Sequence, residues 1–109
     1  MELEQKSNSQ YLYKVLSFEH WQASQNKENL SLPSEDDAFI HFSKADQLDR
    51  LITKYWSESL QFVVLKINTA DLKGNLVFES NLGGTAKYYH LYEGFIPFSS
   101  IIESRIVRR

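Results

Sequence analysis

Six short apolar runs, each closed by a polar or glycine-containing stretch, constrain this chain more than any other feature. They are Tyr11–Leu16, Ala38–Phe42, Leu60–Ile67, Leu76–Glu79, Lys87–Tyr92 and Ile101–Val107. Runs of this length, rich in β-branched and aromatic residues, predict strands. Leu60–Ile67 is apolar on both faces, which predicts a central strand. Only two stretches have helical character, and both lie in the first half. Ser17 predicts an N-cap for a helix through Gln25, with Phe18, Trp21 and Gln22 on its inner face. Ser43 with Asp46 three residues on approximates a capping box. After it, Ala45, Leu48, Leu51, Ile52, Tyr55 and Trp56 fall on one face of a 3.6-residue period. Burying that face would contribute several kcal/mol, at about 1.5–3 kcal/mol per large apolar side chain.

Many strands with two early helices predict the α+β class. The expected architecture is a small single domain whose six short strands form a mixed, split sheet around a cleft. Residues 1–10 have almost nothing to bury and are expected to be a disordered tail, leaving 11–109 as the domain. Glu93-Gly94 and Pro97–Ser100 read as turns, and Ser80–Ala86, with Gly83-Gly84, as a flexible loop. Asn26–Asp37 is a long polar loop holding Pro33 and three acids, Glu35-Asp36-Asp37. Long loops are often functional.

Composition narrows the chemistry further. The chain has 109 residues and no cysteine. That excludes a disulfide framework, a thiolate nucleophile and cysteine-ligated metal sites. Residues 1–50 carry nine acids against five bases, and residues 51–109 carry five against seven. No strongly basic face results, so duplex DNA is not an expected partner. No apolar run is long enough to span a bilayer, and the N-terminus has no apolar targeting core. A cytoplasmic protein without a membrane partner, a monomer or weak dimer, is expected.

Any chemistry must therefore come from histidine, carboxylate, hydroxyl and lysine. No two of His20, His41 and His90 have the helical spacing of a metal pair, so no metal is expected. By strand alternation His41 shares a face with Phe39 and Ser43, His90 with Tyr88 and Tyr92, and Glu79 with Val77. Each of these polar residues has a structural reading: a satisfied strand histidine, or a solvated acid at a strand end. In one cleft, His41, Glu79 and His90 would supply base, acid or hydrogen-bonding groups near neutral pH. Lys14, inside the first strand, either snorkels to a strand edge or meets a ligand.

Tyr13-Lys14-Val15-Leu16-Ser17, Trp21, Phe39-Ile40-His41-Phe42-Ser43, Phe78-Glu79 and His90-Leu91-Tyr92 together resemble the bacterial DUF952 family. The chain departs from that pattern at Ala38, where glycine is usual. Ser80 and Asn81 follow Glu79 where a proline is usual, and Glu93 is inserted before Gly94. The family is similar in fold to the ADP-ribosyltransferase group, which includes the RNA 2′-phosphotransferases. The resemblance implies a cleft for NAD, as substrate, or for an ADP-ribose-like nucleotide. In that reading Glu79, His41 and His90 are catalytic, and Lys14, Ser43, Tyr88 and Tyr92 bind ligand. Glu79 would stabilise charge on the ribose as nicotinamide leaves. His41 would hold ribose hydroxyls, a tyrosine would stack on nicotinamide, and Lys14 or His90 would meet phosphate or the acceptor. Two other functions stay open. One is a non-catalytic nucleotide or ADP-ribose binding module, favoured by lysine where many relatives of that group place histidine or arginine. The other is an interaction protein with structural histidines.

Overall fold

In the computed structural model of the protein, which describes residues 10–81 and 83–109, strand β1 (Tyr11–Ser17) alternates cleanly. Leu12, Lys14 and Leu16 turn inward and are buried. β1 pairs antiparallel with β3 (Gln61–Asn68), and β3 pairs antiparallel with β6 (Ile101–Arg108). β3 is thus the central strand of a three-stranded sheet, as its two-faced apolar run requires. A second three-stranded sheet has the order β2 (Ile40–Phe42), β5 (Lys87–Phe95), β4 (Lys73–Ser80). The sheet is split as expected, but every ladder among the described residues is antiparallel where a mixed sheet was expected. The β4–β5 connection is too short for the crossover that a parallel pair needs.

The two sheets meet at one seam. The Tyr13 N–H donates to the Ser43 carbonyl at 2.8 Å, and the Ser43 N–H donates to the Tyr13 carbonyl at 2.9 Å. From there the sheets diverge around a shared core that includes Leu12, Leu16, Ile40, Phe42, Leu65, Ile67 and Leu91. No helix among the described residues is long and apolar enough to cross a membrane. Nine residues of the expected tail, 1–9, lie outside the described residues.

Helix α1 (Phe18–Ser24) starts where the sequence predicts, with Ser17 Oγ accepting from the His20 N–H. Phe18 and Trp21 pack on the core, whereas Gln22 is exposed. The second helix differs from expectation. The backbone of Ser43 is engaged at the seam, so Ser43 does not cap it. Instead the Lys44 N–H donates to Gln47 Oε1 at 2.9 Å, a 3-10 turn covers Ala45–Gln47, and α2 spans Leu48–Tyr55. None of the α2 residues is fully buried. Leu48, Leu51, Ile52 and Trp56 are half-buried, and Ala45 and Tyr55 are exposed. The helix therefore contributes less than its periodicity promises.

Glu93-Gly94 is not a turn. Both residues lie inside β5, where the β4–β5 register slips between Lys73 and Asn75. Glu93 takes φ +53 and Gly74 takes φ +123, so the extra length is absorbed as a bulge. The two strands approach so closely there that a Cβ on Gly94 would stand 1.8 Å from the Lys73 carbonyl oxygen. Gly94→Ala should therefore destabilise the protein by about 3 kcal/mol. Gly84→Ala, whose Cβ would make an ordinary 3.5 Å contact with the Asn81 carbonyl, should change stability by less than about 1 kcal/mol. Urea midpoints decide the matter: equal midpoints for the two variants contradict the close approach.

Candidate functional site

The β2–β5 ladder sets His41 directly opposite His90. Their rings meet edge to face, 5.4 Å apart. In the neighbouring ladder His90 lies opposite Val77, and Glu79 follows two residues along on the same face. That placement lets Glu79 Oε2 accept from His90 Nδ1 at 2.8 Å and from the Tyr92 hydroxyl. The bond from Tyr92, and then that from His90, hold the Glu79 carboxyl below the usual carboxylate range. The same bond pushes the Tyr92 hydroxyl up. On the other side of its ring, His90 Nε2 meets Asn81 Oδ1 at 2.9 Å. His90 is buried, with both ring nitrogens engaged.

His41 is held differently. A 3-10 turn at Ser34–Asp36 brings Asp36 under β2. Asp36 Oδ1 accepts from His41 Nδ1 at 2.8 Å and from the His41 backbone N–H at 3.2 Å. Asp36 Oδ2 pairs with Lys14 Nζ at 2.8 Å, and Lys14 also donates to the His41 carbonyl at 2.8 Å. Burial lowers the Lys14 pKa, and the Asp36 charge only partly restores it. For Asp36, burial alone would raise the pKa. The His41 bond and the Lys14 charge outweigh it and hold the carboxyl below its ordinary range.

A carboxylate oxygen can only accept, so in the neutral ring Nδ1 carries the proton and Nε2 the lone pair. The His41 side chain is 41% exposed, while that of Asp36 is 3% exposed. Nε2 thus has a protein-facing support behind it and, among the described residues, no protein partner in front.

Phe39 joins the two histidines. Its ring stacks on His90 at 4.2 Å and lies 4.8 Å from His41 and 5.1 Å from Tyr92. Beside it opens a depression of about 370 Å³, lined by Phe39, Glu79, Ser80, Asn81, Gly83, Gly84, His90 and Tyr92. Among the described residues no lysine or arginine lines it. Among the described residues no group of three or more histidine and acidic side chains is placed to hold a metal ion.

Of the residues singled out in the sequence, Glu79, His90 and Tyr92 line the depression, and His41 lies beside them, its ring 5.4 Å from that of His90, without lining it. Lys14 does not line the depression: its ammonium is buried rather than snorkelled to an edge, and it meets His41 through Asp36 and the His41 carbonyl. Ser43 is 2% exposed and its backbone forms the seam. Tyr88 lies opposite Glu79 in the ladder but does not line the depression. Asp36, Phe39 and Asn81 were not singled out for the site. The signal for Asp36 was indirect: an inward lysine on an apolar strand needs a buried counter-charge.

Asp36→Asn should leave the Lys14 ammonium buried without its partner and destabilise the protein by about 3–5 kcal/mol. The variant also changes the acid limb. Because the native Asp36 carboxyl titrates below about 3.9, the unfolded chain takes up this proton first. Its stabilisation is complete above about pH 5 and is lost as pH falls through the native value. Urea midpoints between pH 6 and pH 3 should fall more steeply for wild type than for Asp36→Asn. Parallel slopes contradict the buried pair.

A family model described as "Protein of unknown function (DUF952)" matches residues 15–104. The fold is similar to the X-ray crystal structure of protein CC0527 from Caulobacter crescentus, with a TM-score of 0.75 and 26% sequence identity over 88% of this chain and 84% of that one. A double mutant of CC0527 matches equally well. No curated protein matches the chain.

Proposed function

The chain belongs to the DUF952 family, and we propose that it is a transferase acting on NAD or an ADP-ribose-like nucleotide at the His41–Glu79–His90 cluster. The observation that carries this reading is a pair of backed acceptor atoms. His41 Nε2 is supported from behind by Asp36. Glu79 Oε2 takes both internal bonds, which leaves Oε1 of a 35% exposed side chain for a ligand. Two acceptors beside an aromatic ring suit a ligand that presents hydroxyl donors over a flat apolar body, as a ribosyl group does.

Loss of nicotinamide would build positive charge at the ribose anomeric carbon. A carboxylate held ionised by Tyr92 and His90 would stabilise that charge. His41 would accept from a ribose hydroxyl or, during transfer, from the acceptor's hydroxyl. At about 370 Å³ the depression is at the small end of ligand sites, large enough for one nucleoside-sized part. With Lys14 buried and paired, the phosphates would lie outside the depression. A second reading, binding without turnover, is favoured by Phe39, whose ring lies 5.1 Å from that of Tyr92, the tyrosine beside the depression on which a nicotinamide would stack.

Thermal shift and calorimetry with NAD and ADP-ribose, together with a nicotinamide-release assay, test both readings. Ligand should raise the melting temperature, and NAD should be consumed when an acceptor is present. Glu79→Gln should cut release by about 100-fold while binding changes little. His41→Ala should weaken binding by about threefold to tenfold, from a hydrogen bond of about 0.5–1.5 kcal/mol. Binding without release selects the second reading. A folded protein that neither binds nor consumes NAD contradicts both.

A further inference from the structure

Strand β6 is an outer strand of its sheet: among the described residues it pairs with β3 on one side and with no strand on the other. Its residues are mostly exposed, and its free side offers a row of unpaired backbone donors and acceptors. Its sequence, Ile101-Ile102-Glu103-Ser104-Arg105-Ile106-Val107, has a symmetry that none of the chemistry above uses. We propose that β6 is a homodimer interface, in which two copies pair antiparallel about a twofold axis at Ser104 and merge two three-stranded sheets into one of six.

The occupant follows from the pattern. About Ser104, Glu103 falls opposite Arg105 of the second copy, and the twofold makes this pairing twice. Ile106 then comes beside Ile102, the bulge residue of the second copy. Over the regular stretch Glu103 and Arg105 share one face, so the twofold brings both charge pairs together on that face. Ile102 and Ile106 are 46% and 39% exposed in the single chain. Glu103 and Arg105 are exposed as well, and among the described residues neither forms an ion pair.

Moving the axis one residue either way removes the match. An axis at Arg105 sets arginine against arginine, and an axis at Glu103 sets glutamate against glutamate. Charges on an edge strand ordinarily repel other strands. Here they would admit the same strand reversed. The bulge at Ile102, where Ile101 pairs with Ile67 and Glu103 with Lys66, lies before the charged pair and leaves residues 103–107 in regular register. Of the other outer strands, β1 and β2 meet at the seam, and β4 offers no such match, because its single acid, Glu79, is already bonded to His90 and Tyr92.

One strand pair buries less than the roughly 1,600 Å² of a standard interface, so the dimer should be a weak, concentration-dependent one. Sedimentation velocity between about 1 µM and about 1 mM reads it. Wild type should move from monomer to dimer across that range. Arg105→Glu and Glu103→Arg each create two like-charge contacts and should weaken association by at least about tenfold. The charge-swapped double variant, Glu103→Arg with Arg105→Glu, should recover to within about threefold of wild type. Far-UV circular dichroism and melting temperature establish that each variant is folded. A wild type that stays monomeric at 1 mM, single variants that associate as well as wild type, or a folded double variant that fails to recover would each overturn the proposal.

Discussion

A buried ammonium group sits where the two sheets part, and the rest of the site hangs from it. Lys14 projects inward from β1 between Leu12 and Leu16, in a position that alternation reserves for an apolar side chain. It bonds to the His41 carbonyl on one side and to Asp36 on the other. One side chain thus ties β1 to β2 and pulls the Ser34–Asp36 turn against both. A buried ion pair adds little net stability over an apolar substitute, because desolvating two charges offsets their attraction. What it supplies here is position. With the His41 backbone N–H, it holds Asp36 2.8 Å from the His41 ring.

The two histidines that face each other across β2 and β5 have unequal parts. His90 is buried, bonded at both nitrogens and covered by Phe39. It holds Glu79 and Asn81 in place, and in the proposed reaction it is a positioning residue. His41 is bonded at one nitrogen and exposed at the other. The asymmetry originates in the surroundings of two identical rings. One ring has polar partners on both sides, and the other has a carboxylate behind it and, among the described residues, no protein partner in front.

Much of the fold was legible because it rests on period. Six apolar runs became six strands, and the Ser17 cap and the central place of β3 followed from local chemistry. The misreadings came where tertiary contacts claim a residue that local rules assign elsewhere. Ser43 looks like a helix cap, but its backbone groups are bonded to Tyr13. Glu93-Gly94 looks like a turn, but the facing Gly74 lets both strands continue through a bulge. The shared face of Glu79 and His90 could be read from alternation within each strand, given the pairing. Asp36 could not be read that way. It lies in a polar loop with acids on both sides, and no periodicity distinguishes it from Glu35 or Asp37. Only the folded path of that loop brings one of the three beneath β2.

The central claim is that Asp36, anchored by Lys14, holds the His41 ring with its lone pair outward. Nitrogen-15 correlation spectra of the imidazole side chains read this directly. With the ring neutral, the account predicts that His41 carries its proton on Nδ1 in wild type, and that Asp36→Asn, refolded under stabilising conditions, loses this single-tautomer signature. A wild-type His41 protonated at Nε2, or a folded Asp36→Asn protein with an unchanged His41 tautomer, would contradict it.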